Sequence, residues 1–182
     1  LHDKHGNWNS GSCIKVWAQR VSFSEKHKKY VILGVTGPNE YENNVNNNWY
    51  TYYGASWCLS YTLENLENIK QSNLSKYESF GFDKNELDLW KKIVNEIYLP
   101  YSKKHKLYMQ DDGFEDKELV HVDEIPKTER PINQNWSWDK ILRSPYIKQG
   151  DVIQGIYYFE NDFSYEFIEK HFRFYEKYTV HE

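Results

Sequence analysis

The feature that most constrains the fold is a stretch of helical periodicity at residues 47–71. Large apolar side chains recur along it at helical spacing: Trp49, Tyr53, Trp57, Tyr61, Leu63, Leu66 and Ile69. Such spacing places these side chains on one face of a helix. Asn46 and Asn47, at the start of the stretch, are the predicted N-caps. A helix of this length predicts a mainly α-helical chain.

Shorter segments with the same periodicity follow. Asp83 is a predicted cap and Pro100 a predicted stop for a second helix. Residues 147–159 carry apolar residues on both sides, which predicts a helix buried nearly all round, with Lys148 and Gln149 at its start. Further helical segments are predicted at residues 13–21, 139–143 and 164–177. In all, we expect about five or six helices joined by long polar loops.

A short β-hairpin is predicted between the first two helices. Residues 21–24 and 30–33 are β-prone and flank a charged turn at residues 25–29. The hairpin would lie just before a Gly37-Pro38-Asn39 sequence that breaks regular structure.

Composition narrows the classes of function. The chain has 16 Tyr, 7 Trp and 9 Phe, which suits walls that bind sugar rings but equally suits a tyrosine-capped helical core. A net charge of -4 without a basic stripe argues against nucleic-acid and membrane partners. Cys13 and Cys58 are far apart, which favours free thiols in a reducing, cytoplasmic setting.

Glu40 is the first candidate catalytic acid, because the Gly-Pro-Asn break presents it at the entry to the long helix. In a pocket screened from water, its charged form would be disfavoured and its pKa raised, as suits a proton donor. The competing interpretation is a surface ion pair or a helix-entry acid.

Two other polar features are candidates for a site. Asp111 and Asp112 could supply a second carboxylate for hydrolysis, but adjacent acids before Gly113 are also ordinary turn chemistry. Lys148 and Gln149 could offer a cation, an amide and free backbone N–H groups to an anion or to sugar hydroxyls. No cysteine cluster or Gly-rich phosphate loop is visible.

Four stretches, in this order, resemble glycoside hydrolase family 65 and in particular its maltose phosphorylase branch: residues 34–51, 107–118, 131–149 and 178–182. The first includes Asn39-Glu40-Tyr41, where the trehalose and kojibiose branches tend to carry Asp-Glu-Tyr or Asp-Glu-Phe. The resemblance covers most of the chain from Cys13 onward.

The resemblance implies part of an (α/α)6 barrel, with residues 1–182 as one partial catalytic domain that lacks the family's N-terminal β-sandwich and C-terminal parts. It places the general acid on Glu40 and substrate binding on Lys148 and Gln149. The implied reaction is inverting phosphorolysis of maltose, with inorganic phosphate as co-substrate and no metal or other cofactor. A homodimer is implied for the full-length protein.

Two positions depart from the family pattern. Tyr52 stands where Asn is usual and could perturb the pocket wall. Gly150 stands where Ala is usual and would loosen a helix beside Lys148, at a cost of up to about 1 kcal/mol. Three functions remain open: maltose phosphorylase, a phosphorylase or hydrolase of the same family acting on another linkage (kojibiose, trehalose or nigerose), and an inactive, truncated carbohydrate-binding domain.

Overall fold

The computed structural model describes residues 10–181, and their side chains from residue 14 onward. Within that range the chain is mainly helical, as predicted, with eight α-helices: α1 (Ser10–Arg20), α2 (Trp49–Ser72), α3 (Leu74–Ser79), α4 (Lys84–Asn95), α5 (Ile132–Asn135), α6 (Trp138–Arg143), α7 (Asp151–Tyr158) and α8 (Tyr165–Tyr175). Four short strands form two antiparallel pairs: β1 (Val21–Ser24) with β2 (Lys29–Ile32), and β3 (Tyr101–Ser102) with β4 (Leu107–Tyr108).

The predicted hairpin is confirmed. Val21 pairs with Ile32 and Ser24 with Lys29, so the charged turn connects the two strands. Lys28 adopts a positive φ of 52° within this turn, and its backbone N–H donates to Ser24 O at 2.8 Å.

The long helix α2 begins at Trp49, and its cap is Asn48 rather than the predicted Asn46 or Asn47. Asn48 Oδ1 accepts from the backbone N–H of Thr51 at 3.0 Å. Asn47 has a positive φ of 55°, unlike the extended backbone of a usual N-cap. Its amide instead donates to Asp112 Oδ2 at 2.6 Å. The helix start is therefore fixed by a loop distant in sequence.

Other helix starts follow local rules. Asp83 caps α4 as predicted, accepting from Asn85 N at 3.2 Å. Ser137 and Ser164 cap α6 and α8 in the same manner, each at 3.2 Å from the N–H three residues ahead. Short polar side chains placed before a helix satisfy its free amides.

The chain divides into two compact units. The first comprises the chain up to Ile32 together with Gly54–Tyr98, and its core contains Leu59, Leu66, Trp90 and Ile93. The second comprises Leu33–Tyr53 and Leu99–Glu182. The prediction of a single partial domain stays a prediction.

The second unit holds the predicted site residues and two apolar clusters. One surrounds the fully buried Trp49 and includes Ile156 of α7 and Tyr175 of α8. The other contains Tyr41 and Val180, so it connects the segment around Glu40 with the end of the described chain.

The expected start and the expected burial of the helix at residues 147–159 are both wrong. Helix α7 begins at Asp151, four residues later than predicted, and its Tyr157 and Tyr158 are 74% and 65% exposed rather than buried. In α8, the large apolar side chain of Phe172 is likewise 52% exposed. Periodicity locates a helix but does not show which face is covered by another element.

Gly155 allows α7 to pack closely on Trp49, since a methyl group at this position would overlap the indole ring. We expect Gly155→Ala to destabilise the fold by about 1–3 kcal/mol through overpacking. Gly54→Ala is the matched control, because a methyl group there meets nothing within 4 Å and Ala is the better helix former. Chemical denaturation should show a loss for the first variant and none for the second. Equal stabilities would contradict the close contact.

Two further observations concern the described residues. Cys58 is a free thiol, while the side chain of Cys13 lies outside the described part. Between residues 10 and 181, no helix combines the length and the apolar composition needed to cross a membrane.

Candidate active site

The Glu40 loop leaves β2 and returns to α2 through a closed stem. Val35 and Val45 exchange backbone hydrogen bonds of 2.9 and 2.8 Å. Gly34, with a positive φ of 60°, donates its N–H to Asn46 Oδ1 at 3.1 Å. The stem holds residues 36–44 as a loop with Glu40 near its middle.

Asn39 anchors this loop from the inside. Its side chain is fully buried, and Oδ1 accepts from the backbone N–H groups of Lys148 at 3.0 Å and Tyr41 at 3.3 Å. The residue before Glu40 is thereby bonded to the segment that carries Lys148.

Asp151 supplies the second anchor and was missed by the sequence reasoning. Its Oδ1 accepts from Asn39 N at 2.7 Å and its Oδ2 from Asn48 Nδ2 at 2.6 Å. Its own N–H donates to Gln110 Oε1 at 3.0 Å. A methyl group on Gly37 would overlap this carboxylate, which explains a glycine there. One acid thus joins the Glu40 loop, the start of α2 and the start of α7.

Burial dominates the electrostatics of Asp151. Desolvation raises its pKa to about 7, against the opposing effect of the hydrogen bonds from Asn48 and Asn39, and the charge of Asp111 adds to the rise. A signal for Asp151 existed in the sequence, since it is an acid in the first turn of a predicted helix directly after Lys148-Gln149.

The structure brings together the three predicted site residues. Lys148 Nζ contacts Glu40 Oε2, and Gln149 Nε2 donates to Glu40 Oε1 at 3.0 Å. The backbone N–H of Glu40 donates in turn to Gln149 Oε1 at 3.1 Å. The acid is therefore oriented by both its side chain and its backbone.

The expected environment of Glu40 is wrong. The side chain is 60% exposed rather than screened from water. The hydrogen bond from Lys148, followed by that from Gln149, lowers the pKa of Glu40 below its usual value. A donated hydrogen bond and a nearby cation both favour the charged form, so the unliganded acid is ionised at neutral pH.

Lys148 and Gln149 also differ from expectation in their local structure. They precede α7 in an extended segment, where Ile147 pairs in parallel with Thr179. The N–H of Lys148 is not available to a ligand, because Asn39 accepts it. Gly150 is the N-cap of α7 rather than an interior residue, so the expected helix-loosening cost does not apply, since Gly is tolerated at that position.

Asp111 and Asp112 follow the turn interpretation. Asp111 is 3% exposed, accepts from Gly113 N at 2.9 Å, and has its pKa raised to about 6 by desolvation. Asp112 Oδ2 accepts from Asn47 Nδ2 at 2.6 Å. Neither belongs to the group of predicted site residues, Glu40, Lys148 and Gln149, that the structure brings together. Tyr52, the other departure from the family pattern, is fully buried in α2.

In chemical terms, the exposed carboxylate of Glu40 contacts a cation, Lys148, and an amide, Gln149. Such a group can exchange a proton with a bound hydroxyl or glycosidic oxygen while the neighbours bind other oxygens. Among the described residues, no group of three or more His, Cys, Asp or Glu side chains is arranged to hold a metal ion.

A mainly helical chain in which a cation and an amide hold one exposed carboxylate fits a piece of a carbohydrate-active catalytic domain, and comparison with known proteins agrees. Residues 12–182 match the glycosyl hydrolase family 65 central catalytic domain. The chain belongs to glycoside hydrolase family 65.

The curated relatives that the chain matches are named as phosphorylases. The chain is 52% identical to maltose phosphorylase of Bacillus subtilis over 92% of its own length and 22% of that protein. It is 33% identical to kojibiose phosphorylase of Halothermothrix orenii, covering 99% of this chain and 24% of that protein. The chain thus spans about a fifth to a quarter of the length of these curated relatives.

A solved structure confirms the fold expectation. It is a human-microbiome protein provisionally assigned as kojibiose phosphorylase, and it superposes with a TM-score of 0.82 at 31% identity. The match covers 95% of this chain and 24% of the solved chain. The mainly helical fold is consistent with part of an (α/α)6 barrel.

Proposed function

We propose that the protein containing this chain phosphorolyses maltose with inversion, giving β-D-glucose 1-phosphate and D-glucose. The observation that carries this proposal is the convergence of Lys148 and Gln149 on the exposed carboxylate of Glu40. Maltose is favoured over other linkages by the 52% identity to a maltose phosphorylase, against 33% and 35% to kojibiose and trehalose phosphorylases.

In this mechanism a phosphate oxygen attacks the anomeric carbon as the bond to the leaving oxygen breaks. Glu40 gives its proton to that oxygen and is left as a carboxylate. Phosphate is itself the nucleophile, so no second carboxylate is needed to activate water. Among the described residues, Asp111 and Asp151 are unsuited to activate water, because they are buried and already accept hydrogen bonds.

The resting ion pair must change before Glu40 can act as an acid. A sugar that inserts its oxygens between Lys148 and Glu40 would separate the ammonium from the carboxylate. Loss of that cation and exclusion of water both disfavour the charged form and raise its pKa. Substrate binding would therefore produce the protonated acid that the free site lacks.

The test is phosphate-dependent breakdown of maltose by the full-length protein, followed by NMR detection of β-D-glucose 1-phosphate. We expect equal amounts of the phosphate ester and glucose, and no glucose without phosphate. Equal glucose release without phosphate would instead show a hydrolase. The same assay on kojibiose, trehalose and nigerose tests linkage, and inactivity on all four sugars would favour the inactive binding domain.

A further inference from the structure

The turn that carries Glu40 has two ends, and the contacts described above hold only the first of them. The backbone N–H of Glu42 donates to Asn39 O at 3.2 Å, so Glu40 and Tyr41 are the central residues of a four-residue turn. A hydrogen bond from the fourth residue to the first closes a β-turn. The position of the Glu40 side chain therefore depends on how both Asn39 and Glu42 are held.

Glu42, at the second end, forms a buried ion pair with Lys117, which is 75 positions away in the sequence. The Lys117 ammonium contacts Glu42 Oε1, and the two side chains are only 12% and 6% exposed. Burial lowers the pKa of Lys117 to about 8, which leaves the ammonium charged at neutral pH. Asn39, at the first end, is bonded to Asp151 and to the backbone of Lys148. Both ends of the turn are therefore held by residues distant in the sequence.

Lys117 lies on a segment that is itself fixed. It directly follows the short 3-10 helix Phe114–Asp116, and its backbone N–H donates to Phe114 O at 3.4 Å. Phe114 is fully buried in the cluster around Trp49. The Lys117 ammonium lies 5.6 Å from the centre of the Phe114 ring, a distance at which the ring attracts a cation. The ammonium therefore has a fixed position from which it can hold Glu42.

A buried ion pair adds little to stability, because the desolvation of two charges offsets much of their attraction. Its geometric effect is larger, since a buried carboxylate must meet its cation and so has one favoured position. We propose that Lys117 is a positioning residue, which fixes the Glu42 end of the turn and thereby holds Glu40 in contact with Lys148. The assignment rests on the proposed function, in which the acid must lie within reach of the leaving oxygen.

The experiment compares turnover of maltose and of α-D-glucosyl fluoride, whose leaving group needs little protonation, by the full-length protein. The double variant Glu42→Met/Lys117→Met replaces both charges by apolar side chains, so no unpaired charge is left buried. We expect its kcat on maltose to fall about 10–100-fold, the effect of a misplacement of ~1 Å, and its kcat on the fluoride to change little. Lys117→Arg keeps the ion pair and should retain most of the rate on maltose. Asp139→Asn/Arg143→Met is the matched control, because it removes an exposed ion pair of 2.7 Å.

Equal losses on the two substrates would overturn the proposal, because a general disturbance of the fold slows both reactions. An unchanged rate on maltose would overturn it and leave the proposed function standing. A double variant that does not fold would overturn it too, since the pair would then serve the fold itself.

Crystal structures of the full-length wild type and double variant give a measurement that needs no turnover. We expect the contact between Lys148 and Glu40 to be lost while the hydrogen bond from Asn39 N to Asp151 is kept. That result supports the positioning role even if the wild-type protein does not phosphorolyse maltose. A Glu40 side chain that keeps its place in the variant overturns the role.

Discussion

Glu40→Gln is expected to remove nearly all turnover of maltose while leaving the fold and sugar binding intact. The amide has the shape of the acid but cannot give a proton to the leaving oxygen. Loss of a general acid costs about 10²–10⁴-fold in rate. The side chain is 60% exposed, so the substitution creates no buried unpaired group. The expected signature is a fall in kcat with little change in KM.

A second substrate, whose leaving group needs little protonation, tests whether Glu40 acts as the proton donor. α-D-Glucosyl fluoride has a leaving group that needs little protonation, so the variant should retain a much larger fraction of its rate on this substrate than on maltose. Glu169→Gln is the matched control, because Glu169 is a partly exposed carboxylate paired with a cation, Arg173, at 2.8 Å. Equal losses on both substrates would contradict the acid role, and unchanged turnover would refute it outright.

The parts of the fold that were predictable from sequence depend on neighbours in the chain. The periodicity of α2, the hairpin turn and the caps at Asp83 and Ser164 each involve residues within a few positions of one another. Local propensity and capping decide such elements, so the sequence alone specifies them.

The parts that were mispredicted depend on distant residues. The start of α2 is set by Asn48, whose amide donates to Asp151, 103 positions away. The extended approach to α7 is set by pairing of Ile147 with Thr179. No local pattern carries this information, because long-range contacts override propensity.

For the candidate site, too, the residues in sequence motifs were predictable, whereas the properties that depend on distant contacts were not. The family motifs identified Glu40, Lys148 and Gln149, and the structure brings them together. Their electrostatics were not predictable, since the pKa of Glu40 depends on whether Lys148 contacts it, 108 positions away. Asp151 was missed because burial, not residue type, distinguishes it from an ordinary first-turn acid.

Asp151→Ala is expected to have the second large effect. It should lower the stability of the fold and disturb the position of Glu40. Removing the carboxylate leaves the buried N–H of Asn39 and the amide of Asn48 without their acceptor. Each buried donor left unsatisfied costs about 1–3 kcal/mol. The free energy of unfolding should therefore fall by about 2–5 kcal/mol, and turnover should fall because the Glu40 loop loses its anchor.

Asp151→Asn should be milder, for a reason visible in the hydrogen bonds. The new amide keeps one acceptor for Asn39 N–H but turns a donor towards Asn48 Nδ2. If Asn48 flips, its Oδ1 no longer accepts from Thr51 N–H, at present 3.0 Å away, and α2 loses its cap. One hydrogen bond is lost either way, so we expect about 1–2 kcal/mol and partial recovery of turnover relative to Ala.

The dependence on pH distinguishes the role of this carboxylate from general loss of packing. The pKa of Asp151 is raised to about 7 in the fold, against about 3.9 when unfolded, so the folded state binds the proton more tightly. Its contribution to stability is fully present below about pH 4 and is lost as the pH rises to about 7. Asp111, with a pKa of about 6, adds a change of the same sign, while burial keeps Tyr175 neutral across this range.

Chemical denaturation of wild type and Asp151→Asn between pH 4 and pH 7 would measure this contribution directly. The wild type should lose stability relative to the variant as the pH rises, because only the wild type must ionise a buried group or keep its proton at a cost. Asp139→Asn serves as the control, since Asp139 is 74% exposed and paired with Arg143. A constant difference in stability between wild type and Asp151→Asn across this range would show that Asp151 has the same pKa in the folded and unfolded states. The anchor would then have to act through its hydrogen bonds alone.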